Sequence, residues 1–586
     1  MKQPVFIIFF LFCCQAVFSQ TLQTTDEYTE LSDTKPYDDE TVWNKLSVTP
    51  QVSWGSTDMR YKKLDVPVLQ KTLTWKTSAW KGERVNAQAV VWSKTDLSDV
   101  RVTVSDLTCG SSVIPSSAIR PSFVRYVMTD ELNKDGRGAC GHRENKAEWD
   151  SSVVADVLYK PELKMIKANT TQPIWVQVWV AQTVKGGVYK GTLTVSGKDF
   201  TDLKLNMEIQ VSERTLPAPS DWKIHLDLWQ NPYAVARFHQ VPLWSDAHFD
   251  AMRPIMKILA DAGQKVITTT IMHKPWAGQT QDHFDSMIAK IKKIDGTWAY
   301  DYTVFDKWVE FMMSLGIDRQ INCYTLIPWA LTFDYFDQAT SRVQFVEAQP
   351  GDAAYEDYWG VFLKDFASHL RQKGWFERTT IAMDERKMEV MREAIQVIRR
   401  ADPDFKISFA GNYHGEIEPE IYDYCVPFNT KFPEETKQLR DKNGKISTMY
   451  NCCAEARPNT FTFSPPAEAT WIGWHAAQGG YDGYLRWAYN SWTSDPFRDS
   501  RFRTWAAGDC YLVYPFGYSS IRMERLIEGL QDYEKIQILR KEFVDNKADR
   551  QLKKLDATLA LFTAQNIWER DATHDVSNAR KLLNGF

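Results

Sequence analysis

The sequence predicts a multidomain protein with an N-terminal antiparallel β-sandwich, then a (β/α)8 TIM-like barrel with a C-terminal helical appendage. Three observations predict it. From 51 to 218, short runs alternate apolar and polar residues between turn signals, as in Val85–Trp92, Arg101–Val104, Ile174–Val180 and Gly191–Val195. Period-two alternation rich in β-branched and aromatic residues marks strands, and their number suits two stacked sheets. After the stiff Leu216-Pro217-Ala218-Pro219-Ser220 linker, apolar strand-like runs alternate with amphipathic stretches over 221–541, the signature of βα units. Residues 542–586 continue as charged, helical sequence.

Within 221–541, eight strands are expected: Lys223–Trp229, Val266–Ile271, Ile321–Ile327, Thr380–Glu385, Lys406–Gly411, Tyr422–Phe428, Ile446–Cys452 and Gly483–Tyr489. Helices are expected near 246–262, 303–315, 355–373, 387–400 and 519–541, the last strongly periodic. At the N-terminus, Lys2, the apolar run Val5–Cys14 and Val17-Phe18-Ser19 before Gln20 spell a signal peptide over 1–19. Cleavage after Ser19 is favoured over lipidation at Cys13 or Cys14, because the residue before either cysteine is not the usual small one. The expectation is an exported protein, in the periplasm or at the cell surface, with a flexible polar leader over 20–50 and no transmembrane segment.

Charged residues make up 25% of the 586, and the net charge of −5 is spread without long single-sign runs, which argues against nucleic acid as a partner. Aromatic content is 13%, with 23 Trp, a surplus suited to stacking on the apolar faces of sugars. Of nine cysteines, two (Cys13 and Cys14) fall in the signal; the rest are Cys109, Cys140, Cys323, Cys425, Cys452, Cys453 and Cys510. Cys109 with Cys140 is the expected disulfide, and the others read as small core residues. No C-x-x-C or H-E-x-x-H motif is present, so neither a metal nor another cofactor is expected.

Catalytic groups of such barrels lie at the C-terminal ends of the strands. Asp384 and Glu385 close the fourth strand, where burying two acids is costly without a purpose. Capping of the helix that follows is the rival reading. Adjacent carboxyls cannot straddle a sugar ring from opposite faces as in ordinary glycosidases, whose carboxyls stand roughly 5–9 Å apart. One can serve as acid and then base while the other steadies a nucleophile on the substrate itself, a 2-acetamido oxygen. Glu385 takes the first role and Asp384 the second, with an ionised Asp384 expected to raise the Glu385 pKa and keep it protonated. Other strand ends offer sugar contacts: His225, Asp227 and Gln230; His273 and Trp276; Asn412, Tyr413 and His414; Tyr450 and Asn451. Around the eighth strand stand Trp474, His475, Asp482, Trp487, Tyr489, Asn490 and Trp492. For each alone, packing is as good an explanation as contact with a ligand.

Four segments carry a family resemblance: Ala79–Gln88, Met383-Asp384-Glu385, Gly483–Trp492 and Ser520–Glu534. On these the chain resembles glycoside hydrolase family 123, the β-N-acetylgalactosaminidases, and related domains of unknown function in gut Bacteroidetes. The resemblance runs from about 51 to 541 in the family's order. It implies a β-sandwich before a catalytic barrel and an exo-acting enzyme that releases terminal β-linked N-acetylgalactosamine, as from glycosphingolipid glycans. It also implies retention by substrate assistance through an oxazolinium-like intermediate, with Asp384 supporting the acetamido group and Glu385 as acid/base. The rival readings are a glycosidase of the same barrel acting on another sugar and an exported, non-catalytic glycan-binding protein.

Overall fold

The computed structural model describes residues 28–32, 40–130, 140, 149 and 151–586. The signal segment lies outside them. Two sheets build the N-terminal domain. One has five strands, around Arg84–Ser93, Thr170–Trp179 and Ile119–Thr129; the other centres on Gly187–Ser196 and Leu203–Thr215. Alternate side chains of both meet in one core, among them Val85, Ala87, Ile174, Val176, Leu193 and Ile209. The pairing is antiparallel except where Thr74–Lys81 runs parallel to Leu203–Thr215, which departs from the expected all-antiparallel arrangement.

The leader is less free than its polarity predicts. Glu30 is buried between Lys63 and Arg125, Tyr28 stacks against Phe497, and Trp43 is buried with its Nε1 donating to the Leu64 carbonyl (2.8 Å). A carboxylate held by two cations anchors a segment whose composition alone reads as mobile.

The second domain is an eight-stranded, wholly parallel sheet: β1 His225–Leu228, β2 Val266–Thr270, β3 Gln320–Tyr324, β4 Thr379–Asp384, β5 Lys406–Ala410, β6 Asp423–Pro427, β7 Ile446–Tyr450 and β8 Gly483–Arg486. Each strand pairs with its sequence neighbours and β8 with β1, so only the β1/β2 seam lacks a full ladder. There the Lys265 N–H donates to the Leu226 carbonyl (3.0 Å) and closes the barrel. β8 approaches β1 closely enough that a Cβ on Gly483 would sit 1.9 Å from the His225 carbonyl oxygen, so glycine is required there. A four-stranded sheet (Ala289–Lys292, Trp298–Asp301, Thr332–Asp337, Arg342–Glu347) is inserted in the loops after β2 and β3.

Helix Ile521–Asp545 does not have the single apolar stripe that its sequence suggests. From Ile521 to Ile536 it is buried on every side, charged residues included. It lies between the two domains, and its charges are met residue by residue. Glu524 pairs with Arg84 (3.0 Å), Glu528 accepts from Asn86 (2.9 Å), Gln531 bonds both the N–H and the carbonyl of Arg84, and Lys535 pairs with Glu83 (2.6 Å). Arg522 holds Asp156 of the N-terminal domain at 3.0 Å. On its barrel side the helix meets Pro466–Gly479 so closely that a Cβ on Gly473 would lie 2.0 Å from the Gly529 carbonyl oxygen. Helices Asp549–Leu559 and Ala572–Asn584 complete the appendage, and no helix among the described residues is long and apolar enough to cross a membrane.

Lys535→Met removes the nearest cation from the buried Glu83 carboxylate, leaving it the Trp80 N–H (2.7 Å) and Arg580 at 3.9 Å, and is expected to cost about 3 kcal/mol in denaturant unfolding. Adding Glu83→Gln should recover most of that loss; equal stability of Lys535→Met and the parent would contradict this account of the interface.

Candidate active site

A cleft of about 250 Å3 opens at the C-terminal end of the barrel, lined by Trp229, Trp276, Gln279, Trp329, Asp384, Ala410, Tyr450, Asn451, Cys452, Cys453, Leu485, Trp487 and Trp505. The elements explain its composition. Trp229 follows β1, Trp276 lies in the loop after β2, Trp329 follows β3, Asp384 ends β4, Ala410 ends β5, Tyr450 ends β7, and Trp487 follows β8. A larger groove of about 760 Å3, lined mainly by Asp99–Arg101 and Glu162–Lys167 of the N-terminal domain, lies away from the acid pair and has no ring box. The barrel cleft is smaller than the ~300–1,000 Å3 sites of drug-sized ligands, and so suits one sugar unit.

Four of its indoles are pinned through their ring nitrogens. Trp276 Nε1 donates to Asp384 Oδ2 (2.8 Å), Trp229 Nε1 to Asp227 Oδ2 (3.3 Å), Trp487 Nε1 to Asp509 Oδ2 (3.0 Å) and Trp505 Nε1 to the Gln279 carbonyl (2.8 Å). Trp229 stacks on Trp276 with centroids 5.0 Å apart. These bonds fix the rings before any ligand arrives, which lowers the ordering cost of binding. Beneath them, burial and the neighbouring Asp423 charge push the Asp227 carboxyl up to about 7.

The two acids face different surroundings. Asp384 lines the cleft, and burial pushes its carboxyl above the usual range, outweighing the nearby Arg386 charge and the Trp276 bond. Glu385 stands at the rim with its side chain 33% exposed. Its Oε2 accepts from the Asn412 N–H (3.0 Å) and Nδ2 (2.9 Å), and its Oε1 lies 2.7 Å from His414 Nε2. Burial alone raises its pKa, but the bonds from Asn412 and His414 outweigh it and hold the carboxyl below its ordinary value. This runs against the expectation that an ionised Asp384 raises the Glu385 pKa. The capping role is also excluded, since helix Met388–Ala401 starts at Lys387 with no side-chain cap. Gly411 makes room for Glu385: a Cβ there would come within 2.7 Å of the Glu385 Cβ.

The structure sorts the expected contacts. Trp276, Asp384, Tyr450, Asn451 and Trp487 line the cleft, with Glu385, Asn412 and His414 gathered at its rim. Others serve elsewhere. His225 starts β1 and Asp482 immediately precedes β8, so both lie at the opposite end of the barrel; His225 faces Asp423 (3.4 Å), and Asp482 accepts from the Ser447 N–H (2.7 Å). His273 pairs with Asp285 beside Phe345 and does not line the cleft. Trp474 sits on helix Pro466–Gly479, bonded to Asp532 (3.0 Å), and His475 is tied to the Phe428 and Phe562 carbonyls. Tyr489 and Trp492 are buried, donating to the carbonyls of Ile255 (2.6 Å) and Val513 (2.7 Å). Trp229, Trp329 and Trp505 were not singled out from sequence; an indole directly after a barrel strand was the available signal for the first.

The disulfide also differs from expectation. Cys140 bonds Cys453 across 313 residues, joining the N-terminal domain to the cleft wall, and Cys109 is free. The sulfurs of Cys140, Cys452 and Cys453 lie within 4.8 Å of one another. Two of them form the disulfide, and burial pushes the Cys452 thiol up to about 12, so no thiolate set is presented to a metal.

A parallel barrel with an aromatic box and adjacent acids at its C-terminal end defines a glycan-active barrel enzyme. The comparisons make this specific. Residues 229–539 match the glycoside hydrolase 123 catalytic domain and residues 54–197 the glycoside hydrolase 123 N-terminal domain; the chain belongs to this family and is a glycoside hydrolase. A family 123 glycoside hydrolase from Clostridium perfringens, solved in a study of glycolipid glycan hydrolysis, is 26% identical with a TM-score of 0.82, covering 92% of this chain and 98% of that one. A Bacteroides ovatus GH5 xyloglucanase is 10% identical with a TM-score of 0.30, covering 82% of this chain and all of that one, and is too distant to bear on function. No curated protein matches the sequence.

Gly411→Ala is expected to displace Glu385 and lower kcat by about 100-fold, the scale of a small misplacement of a reacting group. The melting temperature should move little, and unchanged turnover would show that the Glu385 position is not critical.

Proposed function

We propose that the protein is an exo-acting, retaining β-N-acetylgalactosaminidase that works by substrate assistance on glycans, glycolipid glycans among them. One observation carries the reading: among the described residues lining the cleft, Asp384 is the sole carboxylate, and its neighbour Glu385 is the acid beside it. Among the described residues that line the cleft no second carboxylate faces the pair to act as a nucleophile, so the attacking oxygen is assigned to the substrate's acetamido group. The relative from Clostridium perfringens, studied for glycolipid glycan hydrolysis, supports the substrate class. A leader of the kind read in residues 1–19 would deliver this activity to the periplasm or the cell surface.

In the first step the acetamido carbonyl oxygen forms a bond to C1 while the C1–O bond to the aglycone breaks. Glu385 gives its proton to the departing oxygen, and ionised Asp384 accepts the acetamido N–H and balances the positive oxazolinium-like ring. In the second step water attacks C1, Glu385 takes its proton, and the acetamido group re-forms with net retention.

This chemistry needs Asp384 ionised and Glu385 protonated, whereas the free protein biases each acid against that state: burial raises the Asp384 pKa, and the bonds from Asn412 and His414 lower that of Glu385. Substrate offsets both shifts: the acetamido N–H favours ionised Asp384, and rotation of Glu385 towards the glycosidic oxygen frees it from Asn412 and His414. The profile of kcat/KM, which reports the free enzyme, should be a narrow bell with its basic limb on the acid side of that for kcat. His414→Ala removes bonds that lower the Glu385 pKa and should move the basic limb of kcat/KM to higher pH; an unmoved limb would refute the His414 assignment.

Glu385→Gln and Asp384→Asn are each expected to lose at least about 100-fold in turnover of an aryl β-N-acetylgalactosaminide. Normal rates in either variant, or failure of a thiazoline mimic of the intermediate to inhibit the parent enzyme, would sink the mechanism.

A further inference from the structure

Trp329 stands apart from the other indoles of the cleft. The inner four are hydrogen-bonded through Nε1, whereas Trp329 donates its main-chain N–H to the Pro275 carbonyl (3.4 Å). It is 58% exposed, while Trp229 and Trp276 are almost fully buried. One face of the ring is backed by Arg386, whose guanidinium carbon lies 4.1 Å from the centroid. Arg386 Nη1 is anchored on the Glu385 carbonyl (2.7 Å), and its Nε and Nη2 have no hydrogen-bond partner among the described residues.

We propose that Trp329, backed by Arg386, is the leaving-group subsite: a platform for the first sugar of the aglycone, just beyond the scissile bond. The inference rests on the function proposed above and deepens it. Glu385 must face the glycosidic oxygen, so whatever is attached through that oxygen leaves on the Glu385 side of the cleft. Arg386 follows Glu385 in the chain and carries Trp329 against it, which puts the exposed ring on that side. An indole held on one face by a cation is already oriented, and its open area offers the flat apolar surface on which a pyranose stacks. Trp329 lines the same cleft as the buried Trp229 and Trp276 and is its one exposed indole, at the mouth where a chain beyond the first sugar would emerge.

The test compares kcat/KM for two substrates that share a terminal β-N-acetylgalactosamine, one with a hexose as aglycone and one with a methyl group. In Trp329→Ala the ratio of hexose-linked to methyl-linked kcat/KM should fall about tenfold, equivalent to roughly 1.4 kcal/mol, and Trp329→Phe should restore most of it. An unchanged ratio overturns the proposal, whether both rates hold or both fall together, because a structural or inner-site role moves the two substrates alike. The parent enzyme reads the underlying function separately: inhibition by the thiazoline and turnover of the methyl glycoside without any gain from the hexose would overturn this inference alone. Failure on both substrates would overturn both readings.

Discussion

The structure depends on a buried lattice of charge and hydrogen bonds along helix Ile521–Asp545. Burying so many ionisable groups is unfavourable unless each finds a partner with good geometry. Here Glu524, Glu528, Gln531 and Lys535 meet Glu83, Arg84 and Asn86, and Arg522 meets Asp156. The pairing demands one relative placement of the two domains, since a slip would strand charges on both sides. Two segments that carry the family resemblance, Ala79–Gln88 and Ser520–Glu534, are therefore largely the two halves of one interface.

The lattice reaches the site. Arg522 also donates to the carbonyls of Thr460, Gly508 and Tyr511 (2.9, 2.9 and 2.6 Å). Between them Asp509 binds Arg486 (2.7 Å) and the ring nitrogen of Trp487 (3.0 Å), and Trp487 is a wall of the cleft. The N-terminal domain thus supports the aromatic box through the helix, and the Cys140–Cys453 disulfide ties the domains a second time at the neighbouring wall, after β7. A box of rings fixed in this way is suited to selecting a sugar by shape.

The acids show how local surroundings divide the work. Burial raises the pKa of Asp384, enclosed by rings, and the bonds from Asn412 and His414 lower that of Glu385. On the mechanism proposed above, both shifts run against the working state, and the substrate's own amide would be the group that offsets them. Binding and activation would then be one event, a form of transition-state preference that a preset pair would lack.

The order of strands and helices was legible because hydrophobic periodicity is local: all eight barrel strands fall where alternating and apolar runs place them, and Asp384 and Glu385 sit at the end of β4. Asn412, His414, Tyr450 and Trp487 were legible too, since each closely follows or ends a strand. His225 and Asp482 were misread because a strand's sequence does not say which end of the barrel a flanking residue occupies until the strand's first residue is fixed. Trp474, Tyr489 and Trp492 were misread because an indole or phenol bonded to a buried carboxylate or carbonyl has the same composition as one that stacks on a sugar. The Cys140–Cys453 pairing, the opposed pKa shifts of the two acids and the burial of helix Ile521–Asp545 all arise from contacts between residues far apart in the chain. The sequence by itself determined the elements, their order and the place of the acid pair, because these follow from neighbouring residues. Tertiary structure alone decided which rings form the box and which way the pKa of each acid moves, because solvation and hydrogen-bond partners exist only once distant segments meet.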